Sequence, residues 1–339
     1  MDYRAPWWLP GGNLQTIWAA LRGLRYQSAK PLFRRERWTT PDHDFVDVDW
    51  LTDSLSGDAR QPLLVVFHGL EGSSSSHYAE AFADVARSRG WACAVPHFRG
   101  CSGELNLAPR AYHSGDFAEI DWMLRRFKSA HQGPLLAVGI SLGGNALMRW
   151  AGELEKAAAD VVSAIASVCS PLDLTASGKA IGEGFNRQTY TRMFLGTMVP
   201  KALQKLAQHP QLFSGEALRV ARDLYAFDDI FTAPLHGFKD AADYYRRASA
   251  KPHLQRIAVP ALALNALNDP FVPAASLPAS RDVSASVTLW QPRQGGHVGF
   301  PVDAAVGWPQ AHVRAMPMAV CDFLVQHLPS NARSLEIHG

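Results

Sequence analysis

Ser141, Asp269 and His297 are the residues of this chain whose types and order could activate a hydroxyl for attack on a carbonyl. Ser141 stands in Gly139-Ile140-Ser141-Leu142-Gly143-Gly144-Asn145, which fits G-x-S-x-G. In that pattern a serine occupies a sharp turn between a buried strand and a helix, with its hydroxyl presented to substrate. A serine hydroxyl is a weak nucleophile at neutral pH. It needs a base, usually histidine, and the histidine needs an acceptor that fixes its tautomer and stabilises the imidazolium. Asp269, in Asn268-Asp269-Pro270, and His297, in Gly295-Gly296-His297-Val298, follow the serine in the order acid, then base. Asp173 is a rival acid, with helix capping as its other reading. His113, in Tyr112-His113-Ser114-Gly115-Asp116, is a rival base, with loop packing as its other reading.

An attacked carbonyl also needs donors for its developing negative charge. The residue after the nucleophile, Leu142, offers one backbone N–H. The loop His68-Gly69-Leu70-Glu71-Gly72 offers a second at Leu70. One such donor is worth about 3 kcal/mol of barrier. His68 reads as a buttress of that loop. The serine run Ser73–Ser76 reads as the start and cap of the next helix.

These residues need elements to hold them. Short apolar runs predict buried strands at Pro62–Phe67, Trp91–Val95, Leu135–Gly139, Ser163–Cys169, Ala261–Asn265 and Ser286–Trp290. Most are continuous rather than alternating, which suits a parallel sheet covered on both faces. Phe33–Thr39 and Phe45–Leu51 read as earlier strands joined through Pro41-Asp42-His43. Helical segments lie between, at Tyr78–Arg89, Phe117–Lys128 and Leu142–Glu155. The alternation predicts a doubly wound, mostly parallel α/β sheet. Asp269 and His297 then fall in loops after successive strands, at the sheet end where such folds place their sites.

Residues 173–256 break the alternation. They are helical in character and too long for a simple connection. They read as a helical cap inserted in a single domain spanning 1–339. Met193, Phe194 and Met198 within it are candidates for an apolar substrate pocket or for the core of the cap itself.

Bulk properties narrow the function classes. Hydrophobic residues at 47% and charged residues at 19% describe an ordinary globule with a large core. Lys+Arg 33 against Asp+Glu 31 gives no electrostatic case for nucleic acid or an anionic membrane surface. Cys93, Cys101, Cys169 and Cys321 lack zinc-type spacing. Cys93 and Cys169 sit in apolar runs and read as buried thiols. A reducing, cytoplasmic setting is the expectation, with no signal peptide, no membrane-length span, no metal and no cofactor.

Longer stretches add a resemblance. HGLEGSSSSHY from His68, HFRGCSGELN from His97, YHSGD from Tyr112 and GISLGGN from Gly139 resemble the α/β-hydrolase superfamily, and within it the YheT-like hydrolases. So do FDDIFTAPLHGFKDAADYYRRASA from Phe227, NDPFVP from Asn268, GGHVGF from Gly295 and NLQTIW from Asn13. Animal abhydrolase-domain phospholipases and fungal medium-chain ethyl ester synthases are relatives of that group. The resemblance implies a triad of Ser141, Asp269 and His297. It also implies that the polar residues of Arg99–Glu104 and Tyr112–Asp116 shape the site rather than react. Ile140 departs mildly, since the family often has an aromatic there.

The expectation is a serine hydrolase of carboxylic esters with short to medium acyl chains, taking a small-molecule ester. Acyl transfer to an alcohol acceptor is the alternative. A non-catalytic relative on the same fold is the third reading, disfavoured because all three triad residues are present.

Overall fold

The computed structural model describes residues 3–52, 60–305 and 310–329. Its centre is one eight-stranded sheet in the order β1-β2-β4-β3-β5-β6-β7-β8. The strands are β1 (Phe33–Thr39), β2 (Phe45–Leu51), β3 (Leu63–Phe67), β4 (Ala92–Pro96), β5 (Leu135–Ile140), β6 (Ala164–Val168), β7 (Ala261–Leu264) and β8 (Val287–Trp290). β1 and β2 are antiparallel to their neighbours, and every pairing from β4 through β8 is parallel. β3 to β6 are buried along their whole length, which is why they read as unbroken apolar runs.

Helices cover both faces. On one, α3 (Phe117–Ala130) and α4 (Leu142–Leu154) bury Ile120, Met123, Phe127, Leu147 and Trp150 against Val65 and Phe67. On the other, α2 (His77–Ser88) and the helix Ala315–Val325 bury Phe82, Val85, Val320 and Leu324 against Leu64 and Val66. The chain passes from β3 to β4 on one side, then returns to place β5 on the other. Such a reversal opens a crevice at the carboxyl ends of the two strands it separates. Loop Gly69–Leu70 leaves β3 there, and Ser141 leaves β5 there.

β2 differs from its sequence pattern. Phe45-Val46-Asp47-Val48-Asp49 alternates as if one face met water, yet Asp47 and Asp49 are buried. Arg37 and Arg35 on β1 bridge them at 2.8 and 2.7 Å, and Ser102, Ser74 and His97 complete their shells. Arg99 similarly holds Asp42, Asp44 and Glu119.

Between β6 and β7 the chain forms only helical elements and connections. They include α5 (Leu174–Ile181), the long helix Arg192–Gln208, and two single π-helical turns at Arg187–Thr191 and Asp228–Thr232. Among the described residues, no helix is long and apolar enough to cross a membrane.

Burial sets a pH response. It lowers His68, His113 and His236 to about 3 and His77 to about 4. In the unfolded chain these groups titrate near the ordinary value of about 6.5. Below that pH the unfolded state takes up protons that the folded state refuses, so stability falls as pH falls. Each such group withdraws at most about 1.4 kcal/mol per pH unit. Burial raises Glu119 to about 7 and Asp228 to about 6, and these oppose the loss by binding protons in the folded state first. The histidines outnumber them, so Tm is expected to drop between pH 6.5 and 5, before ordinary carboxylates titrate. A Tm that holds or rises over that window in a thermal melt series would contradict the burial of neutral imidazoles.

Candidate active site

The elbow is built by close approach. A Cβ on Gly139 would lie 2.5 Å from the Gly143 carbonyl oxygen, and one on Gly143 would lie 2.5 Å from that of His68. Only glycine lets α4 start so near β5 and β3. Ser141 at the tip has φ 51° and ψ −117°, a sparsely populated backbone conformation that costs a non-glycine residue of order 1–3 kcal/mol. The strained turn holds its side chain up, off the end of the sheet.

Ser141 Oγ lies 3.0 Å from His297 Nε2. His297 Nδ1 lies 2.9 Å from Asp269 Oδ2. The Asp269 side chain is fully buried, and its Oδ1 accepts the Phe271 N–H at 2.8 Å and the Val272 N–H at 3.3 Å. These bonds fix the carboxylate before the imidazole meets it. The Phe271 ring lies over the imidazole, with centroids 4.2 Å apart, and limits its rotation. Asp173 is engaged elsewhere, accepting the Ala176 N–H as the N-cap of α5. His113 packs against His236, centroids 4.4 Å apart, and its Nδ1 accepts the Gly115 N–H.

The loop after β3 comes against the serine. A Cβ on Gly69 would stand 3.2 Å from Ser141 Cβ. His68 holds this loop: Nδ1 lies 2.8 Å from the Gly69 carbonyl, and Nε2 accepts the Phe98 N–H at 3.0 Å. With Nε2 accepting, Nδ1 carries the proton, and burial keeps the ring neutral. The Gly69 carbonyl is thereby tied back, and Leu70 turns to the cavity. Ser73–Ser76 does less capping than the sequence suggests. Ser76 stands at the N-cap of α2 without a side-chain cap bond, and Ser74 instead donates to Asp49.

Ser141, His297, Leu70 and Leu142 line a cavity of about 620 Å³. Met193, Phe194 and Met198 line it too, from the helical segment between β6 and β7. Phe194 and Met198 also pack into the apolar cluster around Phe271 and Tyr190, whereas Met193 is 58% exposed. Phe194 and Met198 thus face the cavity and also belong to that packed cluster.

The sequence reading gave no role to the N-terminal helix α1 (Gly11–Leu21), which holds the histidine loop. Thr16 Oγ1 accepts the His297 N–H at 2.8 Å and donates to the Gly12 carbonyl. Gln15 Oε1 accepts the Gly295 N–H and the Asn268 side-chain amide, both at 2.9 Å. Asn268 Oδ1 in turn accepts the Gly296 N–H. The usable signal was a polar pair inside the apolar run Leu14-Gln15-Thr16-Ile17-Trp18, because buried polar groups require partners. Thr16→Val keeps the shape and removes the acceptor. It is expected to lower kcat on a chromogenic ester roughly ten- to a hundredfold with little change in KM, since small misplacements of a reacting group are costly. An unchanged kcat would show that His297 is held without this bond.

Among the described residues, Cys169, Asp269 and His297 form the one grouping of metal-ligating atoms, within 4.8 Å of one another. Each is already engaged. Cys169 Sγ accepts the Val298 N–H at 3.2 Å, and burial together with Asp269 pushes its thiol well above the ordinary range. Cys169 thereby ties the loop that carries His297 to the end of β6.

Comparison with known proteins agrees with this architecture. A family model described as the alpha/beta hydrolase fold matches residues 62–304. The esterase-named YheT of Escherichia coli (strain K12) is 41% identical over 281 residues, 79% of this chain and 81% of its own. Human Phospholipase ABHD3 is 26% identical, covering 86% of this chain and 72% of its own. The Pyrococcus furiosus esterase Pf2001 superposes with a TM-score of 0.54 at 14% identity, over 88% of this chain and 94% of its own, a likeness of fold. The chain belongs to the α/β-hydrolase superfamily, as a member of its YheT-like branch.

Proposed function

We propose that the protein is a serine hydrolase of carboxylic esters, with Ser141 as nucleophile, His297 as base and acid, and Asp269 as the orienting carboxylate. The observation that carries this reading is the relay from Ser141 Oγ to His297 Nε2 at 3.0 Å and from His297 Nδ1 to Asp269 at 2.9 Å. Ser141 Oγ attacks the acyl carbonyl while His297 takes its proton. The Leu70 and Leu142 N–H groups bind the oxyanion. His297 then protonates the leaving alcohol, and water, deprotonated by the same imidazole, releases the acid. Asp269 keeps the proton on Nδ1, so that Nε2 faces the serine as a base.

The helical insertion serves as a cap over this cavity, and its apolar side chains accept the acyl group. A space of about 620 Å³ with Ile17, Ile181, Phe194 and Met198 in its wall suits short to medium acyl chains. A fluorophosphonate probe tests the chemistry without knowledge of the substrate. Folded wild-type protein is expected to label stoichiometrically, on Ser141 by peptide mapping. A folded protein that does not label would overturn the reading.

A further inference from the structure

In the wall of the apolar cavity, on the side formed by the helical segment between β6 and β7, lies a polar group that the ester chemistry does not use. Asp228 opens the π-helical turn Asp228–Thr232 and lines the same cavity as Ser141. Single π turns interrupt regular helix and frequently mark functional positions. Thr232 donates to Asp228 Oδ1 at 2.6 Å, and Tyr245 donates to Oδ2 at 2.8 Å. Each carboxylate oxygen keeps acceptor capacity beyond that one bond. Burial raises this carboxyl to about 6, so it is mostly ionised at neutral pH and under-solvated.

Ser177 lines the cavity as well, from α5. It is only 6% exposed, and its Oγ has no hydrogen-bond partner. A buried hydroxyl without a partner costs free energy, and native proteins retain few of them. The adjacent Gly178 packs against the Tyr245 ring, where a Cβ would come within 2.6 Å. Tyr245 therefore joins the two groups, touching α5 with its ring and Asp228 with its hydroxyl.

The geometry points to a polar subsite, formed by Asp228, Tyr245 and Ser177, that binds a hydroxyl group carried by the substrate at a distance from the scissile ester. Asp228 only accepts, and Ser177 has a free O–H. A hydroxyl satisfies both, donating to the carboxylate while accepting from the serine. An ammonium would donate to both but leave the serine O–H without an acceptor. This inference rests on the ester-hydrolase reading for the identity of the cavity. It adds that the preferred acyl or alcohol part is hydroxylated rather than a plain hydrocarbon.

Its test uses binding as well as turnover. A set of medium-chain fatty acids carrying one hydroxyl at successive carbons, and the matching glycol monoesters, is compared with unsubstituted parents. Binding is read by calorimetry on Ser141→Ala protein, and kcat/KM on wild type. At one hydroxyl position the substituted compound is expected to bind at least about tenfold tighter than its parent. That ratio should fall below about threefold in Ser177→Ala and in Asp228→Leu. Ratios are read within each variant, so a general loss of affinity cancels. Ser177→Ala keeps the assay interpretable if Asp228→Leu does not fold. A parent that binds as well as every hydroxylated isomer overturns the subsite, as does a preference that survives Ser177→Ala. An ammonium analogue that outcompetes the hydroxyl overturns the assignment of the ligand. Loss of fluorophosphonate labelling with the hydroxyl preference intact would sink the hydrolase reading and leave the subsite standing.

Discussion

Ser141→Ala is expected to lower ester turnover by about 10⁴- to 10⁶-fold, the range seen when a serine nucleophile acting in a unit with its base is removed. The residue has a positive φ and its hydroxyl lies 3.0 Å from an imidazole nitrogen. Residual activity would come from the oxyanion donors and from substrate binding. Steady-state turnover of a p-nitrophenyl ester, with Tm as the check on folding, measures the effect. A loss smaller than about a hundredfold would place the nucleophile elsewhere. A companion variant separates strain from chemistry. Ser141→Gly removes the same hydroxyl and also the backbone penalty at φ 51°, so its Tm should exceed that of Ser141→Ala.

Asp269→Asn is the second large effect, about 10⁴ in kcat. The side chain is fully buried and takes two backbone N–H donors on Oδ1. An asparagine oxygen satisfies those donors and turns its amide N–H₂ toward His297 Nδ1. The imidazole must then carry its proton on Nε2, which faces Ser141 and can no longer accept. The protein keeps its shape and loses its base. Comparing kcat and Tm distinguishes this from unfolding. A tenfold loss or less would mean that Asp269 supports structure rather than the tautomer.

The parallel half of the sheet was legible because burial on both faces forces continuous apolar runs. The expected strands at Leu135–Gly139 and Ala261–Asn265 agree with β5 and β7 to within one residue at their ends. The antiparallel edge was legible as strands but not in its packing. Asp47 and Asp49 look solvent-facing until Arg35, Arg37, Ser102 and His97, from other elements, surround them. Of the candidate site, the grouping of Ser141, Asp269 and His297 could be picked out by strand-end position and chain order. Gln15 and Thr16 could not be assigned a task, because their bonds to Gly295 and His297 span more than 250 positions. Ser177 and Asp228 were invisible for the same reason. Nothing local to either shows that both face one cavity.

By itself, the sequence determined the elements and the chemistry they could carry. Apolar periodicity specifies which segments are buried, and glycine spacing around Ser141 specifies a turn that only glycine permits. Both are properties of residues near one another in the chain. Tertiary structure alone decided which polar groups meet. It brought α1 under the histidine loop, paired the buried aspartates of β2, and left Ser177 unpartnered beside the same space as Asp228. A hydrogen bond is fixed by ångström-scale distance and direction. Those are set by how distant elements pack, and no local pattern encodes them.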